Sequence, residues 1–198
     1  RNDYSTDWGL RILPESSEKF NPGAYHAGMV WPLFSGFVSL AEYKTGNYVS
    51  GFTHMMNNLL LYRHYGLGSA EETLNGSVYK PAGVCYQQGW SETMVLQPIS
   101  EGMLGFAPDA LANQVALSPR FPWHWNEVKV DNILFGDHQV NLKMERTIES
   151  TKYLLEYLRG TGCTMSLSPA LPLGTKVERV LVDGKAVKYF TEIKVESI

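Results

Sequence analysis

Asn21-Pro22-Gly23-Ala24-Tyr25-His26-Ala27-Gly28-Met29-Val30-Trp31-Pro32 is a loop rich in Gly, Pro and aromatic residues that runs straight into an apolar helical pattern. From Val30 through Leu33, Phe34, Phe37, Val38, Leu40 and Ala41 to Tyr43 the apolar steps are mostly three and four, and Gly46 ends the pattern. A second helix is predicted from about Tyr48 to Tyr65, carrying Phe52, Met55, Met56, Leu59, Leu60 and Tyr62 and stopping at Gly66. The arrangement recurs at Gly89-Trp90-Ser91-Glu92, where another polar, aromatic loop opens a helix carrying Met94, Val95, Leu96, Ile99, Met103 and Leu104 and ending at Gly105. Pro98 should kink that helix or mark a first turn. Three such segments with long loops between them cannot close a ring of helices.

After Asn113 the apolar period becomes two. Val128 and Val130 alternate with Lys129 and Asp131, and Val140, Leu142 and Met144 alternate with Asn141, Lys143 and Glu145. Phe135-Gly136-Asp137-His138 is a hairpin turn between them, and Val182-Asp183-Gly184-Lys185 carries the stronger Asp-Gly hairpin signal. Cys163, Met165 and Leu167 alternate with small polar residues. Tyr153 to Leu158 is apolar on both faces, which predicts a central strand in preference to a short helix. The fold class expected is α+β: helices and loops over residues 1–110, then an antiparallel β-sandwich of seven or eight strands over 111–198.

The chain has 198 residues and 44% hydrophobic composition, enough for a sizeable core. A formal charge of −3 gives no electrostatic reason to expect nucleic acid or an anionic membrane as partner. No apolar run approaches the roughly twenty residues that span a bilayer. Cys85 and Cys163 stand too far apart to imply a disulfide framework, and His54, His64, His124 and His138 have no metal-ligand spacing. No metal and no cofactor is expected. Gly-x-Gly-x-x-Gly, P-loop and Gly-x-Ser-x-Gly motifs are missing from the sequence. Cys85, beside Tyr86-Gln87-Gln88, reads as a buried small side chain in preference to a nucleophile. The chain begins at Arg1 with neither an initiator Met nor a signal sequence, so the natural N-terminus is expected elsewhere and the compartment, cytoplasmic or periplasmic, stays open.

Aromatic loops at helix N-termini offer stacking faces, amides and a few polar side chains, which suits a neutral polyol such as a sugar. The two loops resemble the late barrel segments of the (α/α)6 glycoside hydrolases, above all the amylo-α-1,6-glucosidase and glycogen-debranching C-terminal type. That family typically reads Tyr-Asn-Pro-x-Ser-Tyr-His-x-Gly-x-Val-Trp-Pro and later Gln-x-Trp-Ser. Leu117-Ser118-Pro119-Arg120-Phe121-Pro122-Trp123-His124-Trp125 likewise resembles the entry to the C-terminal β-domain of many such enzymes.

The resemblance implies an inverting glycosidase, in which one carboxylic acid protonates the leaving oxygen and a carboxylate roughly 6.5–9.5 Å away activates water. The family base lies in Pro-Glu-Leu-x-x-Gly; counting back from Gly76 in Gly68-Ser69-Ala70-Glu71-Glu72-Thr73-Leu74-Asn75-Gly76 places Glu72 on it, with Glu71 where Pro is usual. Glu71 and Glu92 are the alternatives, although Glu92 in a first helical turn also reads as a charge favouring the helix dipole. Substrate contacts implied are Tyr25, His26 and Trp31, then Trp8 with Asp7 and Arg11 in Ser5-Thr6-Asp7-Trp8-Gly9-Leu10-Arg11, and Gln88 and Trp90. The partner implied is an α-glucoside, a 1,6-branch stub or a malto-oligosaccharide; related toroids act on rhamnosides, trehalose and mannosides. The general acid, an Asp, is expected in an earlier part of the same protein, so the chain alone should be inactive. Two other classes fit the sequence: a non-catalytic carbohydrate-binding or structural subunit, and a helical interaction module joined to an unrelated sandwich.

Overall fold

A computed structural model describes residues 3–192 and shows a mixed α+β protein; residues 1–2 of the expected helical half and residues 193–198 of the expected strand half lie outside the described residues. Two short strands, β1 (Ser5–Thr6) and β2 (Gly9–Leu10), precede the helices α1 (Pro32–Thr45), α2 (Tyr48–Leu59), α3 (Tyr62–Tyr65) and α4 (Gly89–Gln97). Helix α1 starts with Pro32 in its first turn, where the missing N–H is no loss, and stops where its sequence predicts, at Gly46 in the left-handed conformation at φ 95°. With α2 it forms an antiparallel helical hairpin.

The face that α1 buries mixes small residues with Leu40, Glu42 and Tyr43. Ser35, Gly36 and Ser39 are buried, whereas Phe34 and Phe37 are exposed. Small side chains let the helices approach closely. A Cβ on Gly36 would collide with the side chain of Met94, and the Ser39 hydroxyl donates to the Gly51 carbonyl at 2.6 Å. Glu42 and His54 form a buried pair across the same interface at 2.7 Å. The Asn58 amide ties the two ends together by donating to the carbonyls of Pro32 at 2.8 Å and Met94 at 3.2 Å.

The single helix predicted from Tyr48 to Tyr65 is instead broken between α2 and α3. Tight three-residue hydrogen bonds, Leu61 N–H to Asn58 O and His64 N–H to Leu61 O, turn the chain there. The break buries Leu61 with Val30, Ala70 and Leu74, against which Trp8 packs. Beyond α4 the chain continues as a π-helical turn, Pro98–Met103. Pro98 has no N–H to give, so the regular ladder cannot pass through it unchanged.

Strands β3 (Ala107–Asp109), β4 (Gln114–Leu117), β5 (Glu127–Phe135), β6 (His138–Arg146), β7 (Thr151–Arg159), β8 (Thr164–Leu167), β9 (Val180–Val182) and β10 (Lys185–Val187) follow. Both predicted hairpin turns are present, between β5 and β6 and between β9 and β10. Two expectations are corrected. The strands are not all antiparallel, because β8 pairs parallel to β4. The meander β5-β6-β7 intervenes between them and supplies the long crossover that a parallel pair needs. Residues 153–158 do form a strand, but β7 is an edge of its sheet and not its centre, and it exposes Leu154, Tyr157 and Leu158.

One core joins the helices to the strands. Tyr43 and Met55 from the helical hairpin and Met103 and Leu104 from the π-turn region cluster with Val115, Leu117, Ile133, Phe135, Val140, Leu142 and Met144. Arg146, at the end of β6, holds the chain that leads into β5: its guanidinium donates to the carbonyls of Pro122 at 3.2 Å and Trp123 at 3.1 Å and lies 4.1 Å above the Trp123 ring.

Candidate active site

The residues singled out in the sequence come together where three loop segments run side by side. Val30 and Leu74 exchange both backbone hydrogen bonds at 2.9 Å, and Trp31 N–H donates to Leu10 O at 3.1 Å. On the other side of the 70–76 segment, Glu72 N–H donates to Cys85 O at 2.8 Å, Ala82 N–H to Thr73 O at 3.1 Å and Gln88 N–H to Ala70 O at 2.9 Å. The segment that carries both glutamates is therefore hydrogen-bonded along both edges, to the Tyr25 loop and to the loop leading into α4.

Gly76 makes this closeness possible. A Cβ there would collide with the Gly28 carbonyl oxygen, which is backbone and cannot swing away. Gly76→Ala is expected to cost about 1–3 kcal/mol, read as a lowered urea midpoint. An unchanged midpoint would show that the two loops can part without loss.

Glu72 is buried, and Tyr25 donates its hydroxyl to Glu72 Oε1 at 2.6 Å. That bond, followed by burial and by the carboxylate's charge, pushes the Tyr25 phenol up to about 12 from the usual 10. Between those two values the folded chain keeps a proton that the unfolded chain releases, so the contribution of Tyr25 to stability falls as pH rises from 10 to 12.

Tyr25 is held in turn by aromatic neighbours. The Trp31 ring stands edge-on to it at 4.5 Å and His26 at 4.7 Å, with His26 and Trp31 stacked at 6.1 Å. Trp31 is buried and spends its indole N–H on the Tyr25 carbonyl at 3.1 Å. His26 is exposed, and so is Trp90 in the first turn of α4.

Glu71 points elsewhere. The Glu71 carboxylate accepts from His64 Nδ1 at 2.8 Å instead of meeting Tyr25. Burial raises the Glu71 carboxyl above the usual range, with His64 and an Ala82 N–H acting in the opposite direction.

The remaining predicted residues divide into frame and rim. Arg11 is buried: its Nε donates to Gly76 O at 2.7 Å, it pairs with Glu15 at 3.0 Å, and it lies over the Phe20 ring. Trp8 donates its indole N–H to Asn75 O at 3.0 Å and meets the Tyr79 ring at 6.0 Å. Both therefore fasten the 70–76 segment. Asp7 is exposed on the turn between β1 and β2. Gln88 caps α4 with its carbonyl, which accepts from Ser91 and Glu92 N–H. Glu92 sits in the first turn of α4; its Oε1, like Thr73 Oγ1 and Ser91 Oγ, is buried without a hydrogen-bond partner among the described residues. Cys85 is a free thiol that donates to Gln87 O at 3.2 Å. The sequence reading of Cys85 as buried is corrected: its loop leaves it at the surface edge, part-exposed.

Sequence reasoning did not find the His64–Glu71 pair or Tyr79. His64 and Glu71 stand seven apart, but Gly66 and Gly68 between them, at φ 132° and 79°, end any helix that would make that spacing a signal. Among the described residues, no group of three or more His, Cys, Asp or Glu is disposed to hold a metal, and no helix is long and apolar enough to cross a membrane. No protein-family model matches the chain, and a search of curated proteins finds no match either.

Proposed function

We propose that the chain is the C-terminal portion of an inverting glycoside hydrolase acting on α-glucosides, with Glu72 as the general base. The observation that carries the reading is a buried carboxylate held by a tyrosine hydroxyl within a cluster of aromatic loop residues. In this reading Tyr25 holds Oε1 of Glu72, and Oε2 takes a proton from water. The water oxygen then attacks the anomeric carbon from the face opposite the leaving oxygen. The leaving oxygen receives its proton from an Asp supplied by an earlier part of the same protein. His26 and Trp90 offer accessible ring faces to the sugar.

The finer fold reading, an (α/α)6 toroid followed by a β-sandwich, belongs to the same proposal. The antiparallel α1–α2 hairpin and the outward-facing Phe34 and Phe37 support helices that pack into a larger array. The second reading is a sugar-binding or structural subunit of the same fold. It is favoured by the engagement of Trp8, Arg11 and Trp31 with backbone carbonyls, which leaves those side chains framing the loops.

Titration of the whole protein with isomaltose and maltoheptaose separates these from a helical interaction module, which would bind neither. Trp90→Ala and His26→Ala are each expected to weaken binding about tenfold, or about 1.4 kcal/mol. Undiminished affinity in both variants would contradict sugar docking at this rim.

A further inference from the structure

Glu71 is 1% exposed, which leaves its carboxylate wholly dependent on protein partners. The main one is His64 on α3, at 2.8 Å. The imidazole is confined by the Tyr79 ring at 4.7 Å and the Tyr65 ring at 6.3 Å, and Tyr65 in turn touches Tyr86 at 5.5 Å. Tyr65, Tyr79 and Tyr86, together with the Arg63 charge that acts on Tyr79, are the titratable and charged groups around the pair. Glu71 immediately precedes Glu72. The pair thus ties α3 to a segment that backbone bonds hold to the loops on either side and that Trp8 and Arg11 fasten at Asn75 and Gly76.

We infer that His64 and Glu71 are positioning residues for Glu72: their buried pair clamps the 70–76 segment to α3 and so sets the Glu72 carboxylate against the Tyr25 hydroxyl. For its effect on turnover the inference rests on the proposed role of Glu72; for its effect on Tyr25 it does not. A reacting group misplaced by about 1 Å can lose a hundredfold in rate, and neither partner of the pair needs to touch substrate to cause that.

The test reads Tyr25 directly, by ¹³C NMR of its ring carbon bearing oxygen, assigned with Tyr25→Phe. The parent phenol titrates near 12, so at pH 11 about one tenth of it is ionised, against about nine tenths for a phenol near its ordinary 10. Glu72→Gln, which removes the charge, is expected to raise the ionised fraction. Glu71→Ala and His64→Ala should raise it as well, while Glu71→Gln, which keeps an acceptor for His64, should leave it near the parent value. In the hydrolysis assay the two alanine variants should lose about 10- to 100-fold in kcat with little change in KM. If Glu71→Ala does not fold, His64→Ala decides the matter. A Tyr25 that stays protonated at pH 11 in a folded His64→Ala variant overturns the clamp, whatever the activity. If Tyr25 responds as expected in a protein that cleaves no glycoside, the clamp stands and the glycosidase reading falls.

Discussion

Glu72→Gln is expected to remove glycoside hydrolysis by the whole protein, lowering kcat by about two to four powers of ten while substrate affinity changes little. The substitution is nearly isosteric, and the carbonyl of the new side-chain amide can still accept from the Tyr25 hydroxyl, so the loop cluster should keep its shape. What is lost is the capacity to take a proton from water. Glu92→Gln serves as the control, because Glu92 sits in the first turn of α4, where its charge also favours the helix dipole. Turnover that survives in Glu72→Gln and collapses in Glu92→Gln would move the base to α4.

The other large effect concerns stability. Leu142 is fully buried in β6, the middle strand of its sheet, and belongs to the cluster that also holds Tyr43, Met55 and Met103 from the helical side. Truncation to alanine should cost about 2–5 kcal/mol through lost burial and the cavity left behind. For a chain of this length that corresponds to a melting temperature lower by roughly 4–20 °C. Because the core is shared, helical ellipticity and tryptophan fluorescence should fall together in one transition. A loss under about 1 kcal/mol, or a helical signal that melts at the parent temperature, would contradict a common core.

Much of this arrangement was legible in the residues, and what was not has physical causes. The end of α1 at Gly46 follows from local stereochemistry, as do the Gly136-Asp137 and Asp183-Gly184 turns. Which face of α1 goes inside followed only in part. Leu40 and Tyr43 of its apolar spacing are buried, but Phe34 and Phe37 of the same spacing are exposed, and Ser35, Gly36 and Ser39 go inside, where a Cβ on Gly36 would meet Met94. The break after Leu59 was hidden because its cause, burial of Leu61 against Val30 and Leu74, is tertiary. The edge position of β7 and the parallel β4–β8 pair depend on which strands meet, and period-two alternation carries no information about that.

The site divides in the same way. Tyr25, Glu72 and Trp31 could each be picked out by their loops. The bond between Tyr25 and Glu72 spans 47 positions and is created by the Val30–Leu74 pairing. Arg11 and Trp8 carry the chemistry of sugar contacts but are used to fasten the 70–76 segment, because nearby carbonyls of Asn75 and Gly76 need donors.

The most direct measurement is the configuration of the first-formed glucose when the whole protein is offered an aryl α-glucoside, whose leaving group is not a sugar, followed by ¹H NMR before mutarotation. Attack by a water activated on Glu72 predicts β-glucose released from the α-linkage. The first appearance of α-glucose, or the absence of any hydrolysis, would contradict Glu72 as the base of an inverting glycosidase.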